Sequence, residues 1–365
     1  MTHNIGLAKK ACLLMLVCAF LAAIVPDVFC YPPAGIDYME YTTATIELQI
    51  YGSPGFTETL TATGPTTVNR SDPTVPEDNR TEIDTEIISM TLTGNSPNIG
   101  PITIIQSPSK ASTGKIKQQS PGQDFPADSY FDVYIEIKTK LLYPLGTLHN
   151  DVPKHMSAVI YSIPPSGSTY ENLTTIYLFD ESDSLVGAML ATRHHVDAHD
   201  IAIIDIAGSK AFVGQGYGIN ITTMAINQGD FAESFSVTIY GNETVIATFA
   251  DVILSSGAST HLNFTWNTAG FAKGNYTLSA YAWPVENETD IDNNNFTDSW
   301  IKVTIVGDVN GDGKVNLIDV FSVALAFGSY PGHPKWNPNY DINNDGKINL
   351  LDYFKTALNF GKTDP

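Results

Sequence analysis

The sequence predicts a multidomain, mainly β protein. We expect a β-sandwich as the N-terminal unit, an Ig-like sandwich after it, and a small α-helical module at the C-terminal end. Three observations lead to this prediction. A chain of 365 residues is too long for a single core. Most of it consists of short runs that alternate apolar and polar residues between Pro and Gly, which is typical of half-buried strands. The last part instead repeats a loop and a helical pattern at an offset of 33 residues.

Residues 1–30 are predicted to be a secretory signal peptide. Lys9 and Lys10 precede an uncharged apolar run over residues 11–25, and Cys30 ends the expected cleavage site. The run is short for a membrane span, which favours cleavage over anchoring. We therefore expect a secreted, extracellular protein that is associated with a cell surface and keeps no membrane segment after cleavage.

Cysteine content and charge agree with export. All three cysteines lie in the signal segment, so we expect no internal disulfide in the mature chain. The formal net charge is −20. A chain this acidic repels nucleic acid and attracts divalent cations, so we expect no nucleic acid partner.

Residues 31–80 are predicted to be short strands followed by a Pro/Thr-rich linker, which residues 64–80 would form. Residues 81–199 are predicted to be a β-rich domain, because strand-like runs recur there without a long helical period. The sequence of this domain suggests no known family.

Nine Asn-x-Ser/Thr sequons are typical of a secreted glycoprotein. Between Thr260 and Trp266 the apolar residues share one predicted strand face, whereas Asn263 and Thr265 take the other. Glycans would therefore coat the solvent side of a sheet. The nine asparagines are Asn69, Asn79, Asn172, Asn220, Asn242, Asn263, Asn275, Asn287 and Asn295.

Residues 200–306 contain seven strand-like runs at the spacing of a β-sandwich. Asn227 closes the second run, Trp266 ends the fifth, and an Asn/Asp-rich segment over residues 286–295 precedes the last. With this order of features the segment resembles the CARDB domain, a cell-adhesion-related Ig-like domain of prokaryotes. The resemblance implies a display or adhesion module and carries no catalytic residue. The predicted strands are 201–206, 216–227, 234–240, 244–250, 258–266, 275–283 and 296–305.

Two copies of one twelve-residue loop begin at Asp308 and Asp341. Oxygen-bearing side chains occupy positions 1, 3, 5, 9 and 12, glycine occupies position 6, and a backbone carbonyl is available at position 7. This is the spacing of a loop that surrounds Ca²⁺ with oxygen ligands. The sequence therefore predicts two calcium ions.

Each loop is followed by an apolar helical pattern, and no helix precedes it, so each copy is half of an EF-hand. Residues 307–365 thus resemble a type I dockerin, the duplicated F-hand module that attaches a secreted protein to a cohesin. The resemblance implies a cohesin-like partner and a set of ligands in which the two lysines act through their carbonyls. These ligands are Asp308, Asn310, Asp312, Lys314, Asn316, Asp319, Asp341, Asn343, Asp345, Lys347, Asn349 and Asp352.

Loop positions 10 and 11 depart from the pattern of the family, in which they are often hydroxylic and help to select the cohesin. Here they are Leu317, Ile318, Leu350 and Leu351. These apolar side chains either form the contact face for the partner or pack against each other inside the module.

Two further polar segments are candidate sites. His195, Asp197 and His199 would share one face if residues 193–200 formed a strand, and could then bind a metal; such a run is also typical of a linker. Residues 286–295 could bind calcium or form a polar loop, and they lack the glycine spacing of the two predicted loops.

Two functions from different classes are consistent with the sequence. In the first, the chain is a non-catalytic surface or adhesion component that its dockerin attaches to a cohesin-type partner. In the second, the N-terminal unit is a polysaccharide-degrading enzyme or binds a cell-surface glycan. Glycosidases need two carboxylates, but the sequence contains no catalytic motif, so the first function is favoured. The N-terminal carboxylates considered are Asp124, Asp128, Asp132 and Glu136.

Overall fold

The computed structural model describes residues 31–52, 54–139 and 146–364. The predicted signal peptide lies outside these residues. The chain divides after Asp197 into two compact units. In the part of the chain that is described, no helix is long and apolar enough to cross a membrane.

The first unit is built from one twelve-stranded sheet. The mainly β prediction is thus confirmed for this unit. Its strands are β1 (Gly35–Ile50), β2 (Phe56–Arg70), β3 (Glu82–Ser96), β4 (Gly100–Gln106), β5 (Ser112–Ser120), β6 (Gln123–Val133), β7 (Ile135–Thr139), β8 (Thr147–His149), β9 (Lys154–Ile160), β10 (Thr169–Asn172), β11 (Ile176–Phe179) and β12 (Leu185–Val196).

The sheet closes on itself by antiparallel pairing. β1 pairs with both β2 and β12 over most of its length. β3 pairs first with β5 and then with β4, and β12 pairs first with β11 and then with β10. The strands β1, β2, β3 and β12 therefore belong to both parts of the sheet. Two groups of shorter strands each connect β3 to β12: β4, β7, β8 and β11 form one group, and β5, β6, β9 and β10 form the other. Closure of this kind leaves few unpaired edges, and alternate residues of the strands point into one sandwich-like core.

The structure differs from the prediction over residues 31–80. Residues 64–70 belong to β2 and not to a linker, and β1 pairs along β12, a strand of the domain that was predicted to begin at residue 81. The Thr-rich composition suggested a linker, but threonine is also a good strand former, and the alternating residues Leu60, Ala62 and Val68 are buried. Residues 31–80 are therefore part of the first unit.

The second unit begins with a two-sheet sandwich. All seven predicted strands of residues 200–306 are present, together with an additional three-residue strand, β14, which pairs in parallel with the last strand. One sheet has the order β13-β15-β18 and the other β14-β20-β19-β16-β17. The strands are β13 (Ile201–Gly208), β14 (Phe212–Gly214), β15 (Gly218–Asn227), β16 (Glu233–Gly241), β17 (Thr244–Leu254), β18 (Ser259–Asn267), β19 (Gly274–Ala282) and β20 (Asn295–Thr304).

The core of this sandwich confirms the predicted strand faces. Trp266 and Leu278 are buried, and Phe264 packs against the same cluster. Asn263 and Thr265 lie on the exposed face of β18. Of the nine sequon asparagines, all are exposed except Asn172, which is half-buried.

The C-terminal module contains two nine-residue helices, α1 (Leu317–Leu325) and α2 (Leu350–Leu358). Its two repeats interlock through backbone hydrogen bonds. Val315 of the first loop donates to the Lys362 carbonyl (2.9 Å), and Gly361 donates back to Val315 (2.7 Å). Ile348, at the same position of the second loop, forms an equivalent pair of bonds with the residues after α1. Each loop is therefore completed by the other repeat, in a near two-fold arrangement.

Candidate metal centres

The first loop folds its backbone around the carboxylate of Asp308. This carboxylate accepts hydrogen bonds from the N–H groups of Gly311 (2.8 Å), Asp312 (3.2 Å) and Gly313 (2.9 Å). Gly313 has a φ of 82°, a left-handed conformation that glycine adopts without strain. Glycine at position 6 therefore makes the turn that brings the loop back over Asp308.

The second loop repeats this arrangement around Asp341. Its carboxylate accepts hydrogen bonds from the N–H groups of Asp345 (3.1 Å) and Gly346 (2.8 Å). The side chain of Asn343 contacts that of Asp345, with Nδ2 and Oδ2 2.8 Å apart. Positions 1, 3 and 5 thus lie together in the folded loop.

The last ligand position of each loop is also part of a helix cap. Asp319 accepts a hydrogen bond from the N–H of Asn316 (2.9 Å), and Asn316 accepts one from the N–H of Ile318 (2.8 Å), which together form a capping box. Asn349 and Asp352 form the same motif at the start of α2. An ion held by these residues would therefore be coupled directly to the start of each helix.

Position 7 offers only a backbone oxygen. The side chains of Lys314 and Lys347 lie at the surface. Their N–H groups donate to Asp312 and Asp345, each at 2.9 Å. The carbonyls are thus the groups that these lysines can provide to an ion.

The donor set of the loops fits a hard cation. The carboxylates at positions 1 and 12 are at most 3% exposed, and no ion pair in the described part of the chain involves them. Burial raises the pKa of Asp319, and the charges of Asp308 and Asp312 add to this effect against the opposing backbone hydrogen bonds. Burial likewise raises the pKa of Asp341. Burial of several carboxylates close together disfavours the compact loop, and Ca²⁺ with its oxygen ligands would remove this cost.

The helices turn their apolar side chains towards solvent. The buried positions of α1 are Asp319 and Val323, and those of α2 are Asp352 and Thr356. The opposite side of each helix forms what we call the apolar face, whose residues are all more than half exposed. These residues are Leu317, Ile318, Phe321 and Leu325 on α1, and Leu350, Leu351, Phe354 and Leu358 on α2. This exposure excludes the alternative in which Leu317, Ile318, Leu350 and Leu351 pack against each other inside the module.

Three residues of the sandwich contact the loops and were not found from the sequence. Thr304 donates a hydrogen bond from its hydroxyl to the Asp308 carboxylate. Lys302 and Lys210 donate to backbone carbonyls of the first and the second loop, respectively. Lys210 precedes its acceptor by 131 residues, and no local pattern marks such a contact.

The predicted histidine–aspartate site does not form on one strand, because β12 ends at Val196. In the first unit, His195 Nδ1 lies 2.8 Å from the Thr169 hydroxyl. In the second unit, His199 Nδ1 lies 2.6 Å from the Glu233 carboxylate. Residues 193–200 therefore do not form the single strand on which this alignment depended, and the metal site stays an untested hypothesis.

The polar segment 286–295 folds against the start of β13. Glu288 accepts hydrogen bonds from the N–H groups of Ile201 (2.9 Å) and Val285 (2.8 Å), and Asn293 donates to Asp200 (3.0 Å). These contacts give the segment a structural role as a polar loop.

The N-terminal carboxylates have separate partners. Asp124 and Asp128 each accept a hydrogen bond from a glutamine, and Asp132 contacts His155. Glu136 lines a polar pocket of about 350 Å³ together with Glu181. The lining of this pocket offers a polar ligand several hydrogen-bonding groups.

The interior of the first unit also contains an apolar cavity of about 90 Å³. One charged group on its lining is Lys154, which is 2% exposed and donates hydrogen bonds to the carbonyls of Thr174 and Leu190. Burial lowers the pKa of Lys154 to about 8.

Comparison with known proteins assigns the C-terminal module. The family model described as the dockerin type I domain matches residues 306–355. This module is a type I dockerin. Dockerins of this type generally bind calcium and are typically found in extracellular proteins, and the match supports a cohesin partner. The prediction from the two loops and their helices is thus confirmed at the level of the family.

A family of unknown function, DUF6073, matches residues 22–198, and none of the curated proteins matches the chain. Among solved structures, the chain is similar to DynF from the dynemicin biosynthesis pathway of Micromonospora chersina. The two are 24% identical with a TM-score of 0.40, and the match covers 47% of this chain and 84% of DynF.

A solved CARDB domain is also similar to the chain, as the sequence resemblance predicted. It comes from Pyrococcus furiosus and was solved in complex with di-metal ions; the identity is 23%, the TM-score is 0.26, and the match covers 30% of this chain and 96% of that domain. A domain of a putative cell surface protein from Methanosarcina acetivorans is 26% identical, with a TM-score of 0.25 and coverage of 29% and 92%, respectively.

Proposed function

We propose that the protein is a secreted, calcium-dependent, non-catalytic attachment protein. Its dockerin holds two calcium ions and docks to a cohesin-type partner, which fastens the sandwich and the N-terminal unit to a cell surface as adhesion or scaffold-attached modules. The exposed sequon asparagines would carry glycans on the solvent side of these modules.

The observation that carries this proposal is the duplicated apolar face of the dockerin. Eight large apolar side chains are more than half exposed, four on each helix, at positions related by the 33-residue offset. A monomeric protein rarely exposes so much contiguous apolar surface unless another protein covers it. Because the two copies match, either helix can present the same surface to the partner.

Calcium is expected to control this surface through the helix caps. The ligand positions Asn316 and Asp319 cap α1, and Asn349 and Asp352 cap α2. Removing the ions returns the repulsion among buried carboxylates and loosens both helix starts. Binding to the partner should therefore require calcium.

The test is capture by a panel of cohesins, measured by surface plasmon resonance in calcium and in EDTA. The native chain should bind in calcium alone. Leu317→Asp with Ile318→Asp should keep binding through α2, and Leu350→Asp with Leu351→Asp should keep binding through α1. Charging all four positions should abolish capture, because it places carboxylates on both contact surfaces. All variants should retain calcium-dependent circular dichroism, since the four side chains are exposed.

Ile253→Asp is the matched control. Ile253 is a 72% exposed apolar residue of β17, in the same unit but outside the dockerin, and its replacement should leave capture unchanged. Retained capture by the fourfold variant, or the absence of any calcium-dependent cohesin binding by the native chain, would contradict the proposal.

The alternative function, glycan binding by the N-terminal unit, is favoured by the polar pocket near Glu136. Its lining combines hydroxyl, carboxylate and amide groups, which are the groups that bind sugars by hydrogen bonding. Pull-down on a panel of polysaccharides separates the two functions. Retention that is lost in Glu136→Ala and Glu181→Ala variants would assign a glycan ligand to this pocket.

A further inference from the structure

The two calcium loops have matching ligands but different surroundings. The sandwich and the dockerin lie in the same compact unit. In the first loop, the Asp308 carboxylate accepts a hydrogen bond from the Thr304 hydroxyl. The Gly311 carbonyl of the same loop accepts one from Lys302 Nζ at 2.6 Å. Thr304 is fully buried and lies at the end of β20, so the sandwich positions the first ligand of this loop.

At the second loop the neighbouring cation is buried. Lys210 follows β13, is 6% exposed, and donates from Nζ to the carbonyl of Asp341 at 2.7 Å. The next two residues are fixed to the same repeat, because the N–H groups of Ala211 and Phe212 both donate to the Asn339 side chain. The ammonium is thereby held in one position beside the second loop.

The charge of Lys210 acts on the carboxylates of the second loop. Its ammonium contacts the residue at position 1 of this loop, and Asp341 is itself only 3% exposed, so little solvent separates the two charges. At the first loop, Lys302 is half-buried and contacts the carbonyl of Gly311, which is not a ligand position. The cation beside the second loop is thus buried and contacts a ligand residue, whereas the cation beside the first loop is partly exposed and contacts a residue outside the ligand set.

A fixed positive charge next to a cation site has two opposite effects. Without calcium it offsets part of the repulsion among the carboxylates. With calcium it repels the ion, and it does so strongly because a buried charge is poorly screened by water and salt.

We infer that Lys210 is a tethered cation at the second loop, so that the two loops bind calcium with unequal affinity, the first more tightly. The inference rests on the proposed binding of calcium to both loops. The second repeat is also joined to the sandwich, because Lys355 donates a hydrogen bond of 2.5 Å to the Tyr217 hydroxyl. We therefore expect this repeat to stay folded at calcium levels that no longer saturate its loop.

Calcium titration of the full mature chain by calorimetry tests this inference. The native chain should show one tight and one weaker site. Amide signals of Gly313 and Gly346 in NMR spectra should show that the first loop fills before the second. Lys210→Met should tighten the weaker site by about tenfold, and it should lower the melting temperature in EDTA, because the calcium-free loop loses its counter-ion.

Two further variants separate charge from packing. Lys210→Arg keeps the charge and should leave both affinities within about twofold of the native values. Lys302→Met removes the lysine that donates to a carbonyl of the first loop, and should not tighten the weaker site. If Lys210→Met does not fold, Lys210→Gln removes the charge while keeping a donor near the Asp341 carbonyl.

An unchanged or weakened second site in the neutral variants would overturn the inference and leave Lys210 with a structural role alone. Filling of the second loop before the first in the native chain would overturn it as well. Absence of calcium binding to either loop of the native chain would instead overturn the proposed function. The two failures are therefore distinguishable in the same titration.

Discussion

At the scale of single residues, Lys154 is a buried cation in an apolar environment. It lies at the start of β9 and is almost fully enclosed by the core of the first unit. Its ammonium donates to two backbone carbonyls, and burial lowers its pKa to about 8 from the ordinary value of 10.5. The folded unit therefore favours the neutral amine.

This shift predicts how the stability of the first unit depends on pH. Between about pH 8 and pH 10.5 the unfolded chain binds more protons at Lys154 than the folded chain, so this group destabilises the fold fully below the folded pKa and progressively less above it. Lys154→Met removes that cost. The difference in free energy of unfolding between the variant and the native chain should therefore fall by about 2 kcal/mol as the pH rises from about 7.5 to about 10, because the native chain loses this cost over that range.

Urea unfolding of the first unit at the two pH values measures this difference. Met156→Leu is the control, because Met156 is a buried neutral residue on the same strand and lines the same cavity. Its effect should not change with pH. An equally constant effect of Lys154→Met would show that the ammonium is not destabilised by burial.

At the scale of elements, the alternation of β18 determines which side chains enter the sandwich. Trp266 is 2% exposed and makes edge-to-face contacts with Phe271 and Tyr276, at centroid distances of 5.0 and 5.3 Å. Its neighbours on the opposite face are Asn263 and Thr265. A strand of this kind is predictable because its period of two is local to the sequence.

Trp266→Ala should destabilise the second unit by about 3–5 kcal/mol, because it removes a large buried ring and leaves a cavity. Trp266→Phe should cost less, since the indole N–H has no hydrogen-bond partner in the described structure. Trp283→Ala, at a position that is 52% exposed, is the control. Denaturant unfolding followed by circular dichroism measures the three effects, and a cost below about 1 kcal/mol for Trp266→Ala would contradict the strand faces described above.

The dockerin helices show the limit of periodicity at the same scale. Apolar residues such as Phe321 and Phe354 recur at helical spacing, which correctly predicts two helices but not the direction of their apolar side. The core of the module is formed instead by Val323 and by the loop residues Val309 and Ile342, and the capping carboxylates are buried as well. The apolar face remains exposed because each loop packs against the other repeat and occupies the interior.

At the scale of the whole molecule, the first unit depends on residues that are far apart in sequence. β1 pairs with β12, and β2 joins β1 to β3. Without residues 31–80 the sheet would open between β3 and β12 and expose its core. We therefore expect that a chain lacking residues 31–80 does not fold its first unit.

Calorimetry and limited proteolysis of this truncated chain provide the measurement. The unfolding transition of the first unit should disappear, and residues 81–197 should become sensitive to protease. The transition of the second unit, over residues 198–364, should persist as the internal control. A protected fragment beginning near residue 81 would instead restore the domain boundary that the sequence suggested.

The sequence by itself determined the features whose partners are close along the chain. These are the two calcium loops, the helix caps, the strands of the sandwich and the dockerin family. Only the tertiary structure decided that β1 and β2 complete the first unit, that the apolar face points outwards, and that Lys210 reaches the second loop. The reason is physical: spacing fixes the conformation of a segment and the direction of its side chains, whereas a contact between distant segments depends on how the chain closes its sheets and packs its repeats.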